Sequence, residues 1–164
     1  MPFLVRSVVL FALVGVAACA TSNRPTTVAG PARWTGNFKS MGGTSAVMTA
    51  TTNTQASAFG NITIVTLDTA PPTSRVDLYV TAPAMSGSQL AWAVFSGPCG
   101  APTPPVAGVN EFPTMELTSG GGRIGTSLRF RLSPGTEYHT NVYNSGRATD
   151  VSNVMLCANL TLGR

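Results

Sequence analysis

Along this chain apolar residues recur at every second position and nowhere hold a sustained helical spacing. From Arg33 onward, short alternating runs are divided by Gly, Pro, Asn and Ser, the pattern of strands separated by turns. Phe59–Leu67 alternates with Ile62, Ile64 and Thr66 on one face. Arg75–Thr81 sets Val76, Leu78 and Val80 against Asp77 and Tyr79. Leu90–Phe95 is nearly all apolar and predicts a strand buried on both faces. Ile124–Leu132 predicts a strand with Leu128, Phe130 and Leu132 inward, Glu137–Tyr143 another, and Val154–Leu162 the last. Shorter strands are expected at Arg33–Lys39, which carries Trp34 and Phe38, at the Thr-rich Ala46–Thr52, and at Thr114–Leu117. Turn chemistry separates them at Asp68–Thr73, Ala84–Ser88, Ser119–Gly122, Ser133–Thr136 and Asn144–Ser152. Gly97–Pro113 reads as one long irregular loop. Trp34 and Trp92 are expected as core anchors. Close-spaced short strands predict an all-β antiparallel Greek-key sandwich or flattened barrel over residues 33–164.

Composition agrees with that pattern. Of 164 residues, 43% are hydrophobic and only 10% charged, against roughly 25% charged in an average soluble domain. Thr, Ser, Asn and Gly must therefore supply the polar surface, and Thr and Val suit strands. The formal charge is +4, but the basic residues are scattered and Lys39 is the one lysine. Only Arg123, Arg129 and Arg131 approach a cluster, with no interleaved aromatics, so no nucleic-acid partner is expected.

The first eighteen residues read as a secretory signal, expected to be helical. Arg6 gives the positive start and SVVLFALVGVAA an apolar core too short to span a bilayer. The segment ends Val16-Ala17-Ala18-Cys19, which resembles the lipobox of bacterial lipoproteins. The resemblance implies a diacylglyceryl group on the Cys19 sulfur and cleavage before it. Ala20 follows, where Asp would signal inner-membrane retention, so it further implies an outer-membrane anchor facing the periplasm. The competing reading is an ordinary signal cut after Ala20. Residues 19–32, polar with two prolines, then form a flexible tether. Lipidation of Cys19 leaves Cys99 and Cys157 as an even pair in an oxidising compartment, and these are expected to join.

The second half, QLAWAVFSGPC, a Pro-rich loop, a hairpin, EYHTNVYNS and VMLCANL, resembles a Cu/Zn superoxide dismutase-like domain over roughly Arg75–Leu162. That family carries His-x-His on a strand, a Cys in the following turn, a further His on a later strand and a partner Cys on the last. The Cys placement and Trp92 fit the resemblance. The ligand positions do not: they fall on Ala93, Phe95 and Tyr143. A methyl group and a phenyl ring cannot donate to copper. No metal ligand, catalytic residue or cofactor is therefore nominated.

The residues that remain of interest are His139, Asn141 and Tyr143, which alternation places on one face as a possible polar pocket. His139 is the one histidine, and a single imidazole makes a poor metal site. Gly-x-Ser-x-Gly and phosphate-loop patterns are lacking. The function expected is that of a lipid-anchored binding or structural module, touching the membrane through its lipid and an envelope protein through loops such as Gly97–Pro113. The alternative is an oxidoreductase of the dismutase type with an atypical metal site.

Overall fold

The computed structural model describes residues 30–41, 58–145 and 153–163. The signal segment, Cys19, most of the tether and the Thr-rich Ala46–Thr52 lie outside them. The described chain is all-β. Its strands are β1 (Arg33–Ser40), β2 (Phe59–Leu67), β3 (Thr73–Thr81), β4 (Gln89–Ser96), β5 (Met115–Glu116), β6 (Gly121–Leu128), β7 (Tyr138–Tyr143) and β8 (Val154–Leu162). All pairings are antiparallel, in the order β5-β4-β7-β8-β1-β2-β3-β6. The neighbours β4–β7 and β3–β6 are not sequential, which gives the crossed connections of a Greek key.

The single sheet curls until its two ends nearly meet. β5 and β6 are joined through Thr118, whose N–H donates to the Gly121 carbonyl at 2.8 Å while the Gly121 N–H donates back at 3.1 Å. Closure requires glycine at position 122. A Cβ there would lie 2.8–2.9 Å from Leu117, Met115 and the Glu116 carbonyl. Each strand turns one set of side chains into the barrel: Ile62, Ile64, Val76, Leu78 and Val80 are at most 1% exposed. Trp92 fills the centre. Its indole N–H donates to the Pro113 carbonyl at 2.7 Å, and its ring meets Phe112 edge-on at 5.0 Å. Trp34 packs edge-on against Tyr138 at 5.3 Å. Full burial of side chains of this size contributes on the order of 2–3 kcal/mol each, which is what the alternation in the sequence encodes.

Two boundaries differ from the sequence reading. The strand expected at Ile124–Leu132 starts three residues earlier and stops at Leu128. SGGG is not all turn: Ser119 and Gly120 take positive φ, and Gly121 already pairs with Thr81. Beyond Leu128 the chain is irregular, yet Phe130 and Leu132 stay buried. Phe130 accepts a hydrogen bond from the Ser74 hydroxyl at 2.8 Å. Apolar alternation reports which side chains go inward, and it does not require ladder hydrogen bonds. The loop after β4 is also partly ordered. Pro105 bridges to Phe95, and residues 109–111 make one turn of 3-10 helix whose Gly108 N–H is capped by Glu111.

Cys99 and Cys157 form a disulfide, with Cα atoms 6.0 Å apart and a sequence separation of 58. A loop of this length contributes on the order of 4 kcal/mol on the chain-entropy model.

Candidate functional site

The register of β4, β7 and β8 decides what lies together. Ala91 is opposite Tyr143, Ala93 opposite Asn141 and Phe95 opposite His139. On the other side of β7, Asn141 is opposite Cys157 and His139 opposite Asn159. Residues directly opposite on an antiparallel ladder point to the same face. Trp92 and Val142 face the barrel interior, so Ala93, Phe95, His139, Asn141, Tyr143 and Cys157 all face outward.

That outward face is nonetheless buried. His139 is 0% exposed, Tyr143 1% and Cys157 2%. The turn Gly97–Ala101 provides the cover over His139. Gly97 and Gly100 take φ of 81° and 87°, a region glycine enters without steric cost. The turn leaves β4, crosses the outside of β7 and reaches β8. There the Cys99 N–H donates to Asn159 Oδ1 at 2.7 Å and the disulfide closes on Cys157.

His139 Nδ1 lies 2.8 Å from the Gly97 carbonyl oxygen. A carbonyl only accepts, so Nδ1 carries the proton and Nε2 is left as an acceptor. Nε2 has no protein partner, nor does Asn141 Oδ1. The imidazole stacks on Phe95, ring centres 5.2 Å apart and planes 17° from parallel. Burial pushes the His139 pKa down, and the hydrogen bond to Gly97 opposes it. Burial pushes the Tyr143 phenol up, opposed by the Asn141 amide. At neutral pH the face therefore presents a neutral imidazole, an amide and a neutral phenol.

The three residues read as a polar pocket thus do share a face, but all three are buried, and His139 sits beneath a clamped turn, stacked on Phe95. Ala93, Phe95 and Tyr143, the positions at which the sequence resemblance leads us to expect ligands, lie on that same face and bring one phenol to it. Among the described residues no three His, Cys, Asp or Glu side chains come together as a metal set. Glu111 caps a turn and Glu116 sits on β5 beside Gln89. The basic residues do not pool either: Arg75 and Arg123 both flank Asp77, at 3.8 and 3.7 Å, and Arg131 pairs with Asp68 at 2.7 Å. Comparison with family models, with curated proteins and with solved structures gave no match.

Sequence reasoning missed that His139 would be fully buried. The signal was available only indirectly: a cysteine three residues past the end of β4 needs a turn across β7 to reach β8, and His139 lies on that path.

Proposed function

We propose that this chain is a lipid-anchored module of a bacterial envelope, built on a superoxide dismutase-like barrel that has lost its metal chemistry, and that it acts by binding or scaffolding. The observation that carries the reading is Phe95 stacked on His139 at the outer face of β4 and β7. Where the resemblance would put imidazoles there are a methyl group and a phenyl ring, both buried. A redox-cycling copper needs several nitrogen donors at once, and the face offers one free imidazole nitrogen. The disulfide from the turn after β4 to the last strand supports the family resemblance itself. The anchor rests on the sequence around Cys19.

The chain expressed in a Gram-negative host tests both parts. Cys19→Ser is expected to move the protein from the membrane to the soluble periplasmic fraction; unchanged partitioning removes the anchor. Metal analysis of the purified protein is expected to find no stoichiometric copper or zinc. A stoichiometric metal lost on His139→Phe would restore the oxidoreductase reading. A second reading has its own support in the two buried acceptors, His139 Nε2 and Asn141 Oδ1: a small donor-bearing ligand held under the turn. Thermal-shift screening against amines and amides tests it, and a stabilisation abolished by Asn141→Leu is the result it requires.

A further inference from the structure

Among the described residues the sheet ends on β6, and β6 is an unusual edge. Edge strands are normally short, bulged or guarded by charge, because their free N–H and C=O groups invite another strand. The opposite edge, β5, is two residues long. β6 runs eight residues, pairs with β3 without a register break and contains three glycines. Its outward groups can be identified. Gly121 exchanges both hydrogen bonds with Thr118, away from β3. Backbone groups alternate along a strand, so Arg123, Gly125 and Ser127 also direct N–H and C=O away from β3. The inward residues of β6 are less covered than those of its neighbour: Ile124 is half-buried, whereas Leu78 opposite it is 0% exposed.

We propose that β6 is a self-association edge, and that two copies of this chain pair antiparallel through Arg123–Ser127 in a register centred on Gly125. This goes beyond the scaffolding role above and depends on the fold, not on the lipid. The register follows from side-chain complementarity. Centred there, Gly125 faces Gly125 of the second copy, and Arg123 faces Ser127, so no like charges oppose. Ile124 faces Thr126, a β-branched pair of the kind that stabilises ladders, and each covers the other's half-exposed inner side chain. Position 125 can approach closely because it has no side chain. Arg123, the one charge on the paired segment, is held back toward Asp77 of its own chain at 3.7 Å. Five residues a side is a small contact, below the ~1,200 Å² of stable complexes, so the dimer is weak in solution and concentration-dependent.

The test is sedimentation equilibrium of the full chain in mild detergent over a wide concentration range, with wild type expected to fit a monomer–dimer equilibrium. A Cβ at Gly125 would meet only Asp77 Oδ1, at 3.3 Å, so charged variants there should fold, which circular dichroism checks. Gly125→Lys sets two ammonium groups face to face and is expected to weaken the dimer about tenfold or more, as is Gly125→Glu with two carboxylates. Mixing the two is expected to restore dimer as a heterodimer. Ser127→Glu, facing Arg123 of the second copy, should tighten it. Thr63→Lys, on the outer face of β2 away from the edge, should leave it unchanged. A chain that stays monomeric throughout overturns the proposal. So does a dimer indifferent to Gly125→Lys, or one that the Lys and Glu mixture does not restore.

Discussion

The outside of this barrel has two unlike halves. Across β4 and β7 the outward face is covered: Ala93, Phe95, His139, Asn141 and Tyr143 lie almost wholly out of solvent, while on β8 Cys157 is buried and Asn159 and Thr161 are exposed. Across β2, β3 and β6 it is open. Tyr79 is 41% exposed and Phe59 56%, and Arg75, Asp77 and Arg123 form a loose ion-pair row. Both faces belong to one continuous sheet, so strand geometry does not separate them. What does is the loop after β4, which is long enough to fold back and is pinned by a disulfide to β8. The turn so pinned lies over His139, whose ring is stacked on Phe95 and withdrawn from solvent. The ligand site proposed above lies on the covered half, and the proposed contact between copies on the β6 edge of the open half.

The comparison breaks most directly at the staple. Cys99→Ala with Cys157→Ala is expected to lower stability by about 4 kcal/mol, read as a drop in the denaturant midpoint. It should also raise hydrogen exchange at the amide of residue 99 and around His139, while the β2–β3 ladder keeps its protection. Uniform loss of protection would mean that the two halves are not separable.

Matched aromatic truncations sharpen it further. Phe95→Ala on the covered face should cost about 3 kcal/mol, and Tyr79→Ala on the open face within about 1 kcal/mol. Similar costs in chemical denaturation would erase the distinction.

The pH dependence comes next. His139 has its pKa lowered in the folded protein, so the unfolded chain binds its proton first. Stability from this group is full above about 6.5, the ordinary histidine value, and falls as pH drops from there toward the lower folded value. His139→Phe should flatten that part of the stability profile, followed by thermal melts from pH 7 to about 4.5. The smallest effect is expected at Asp77→Asn, which loosens two solvent-exposed ion pairs and should cost under about 1 kcal/mol, less still in high salt.

Much of the architecture was legible because period-two alternation and turn residues are local signals. Phe59–Leu67 and Val154–Leu162 appear as strands with the boundaries the sequence indicated, and Val76, Leu78 and Val80 point inward as alternation required. At Arg129–Leu132 the same signal overextended a strand, since burial without ladder pairing leaves an identical pattern. For the site, alternation correctly placed His139, Asn141 and Tyr143 on one face. It gave no hint that the face would be buried outside the barrel, stacked on Phe95, because that contact joins residues 44 apart in the sequence.

The sequence by itself determined the strand class, the inward side chains and the even pair of late cysteines, because each depends on neighbouring residues or on simple counting. Only the tertiary structure decided that β4 lies beside β7, that a turn closes over His139, and that, among the described residues, β6 is an edge of the sheet. Those are questions of which distant segments meet, and the free energy that settles them comes from the whole packed barrel and its one covalent crosslink.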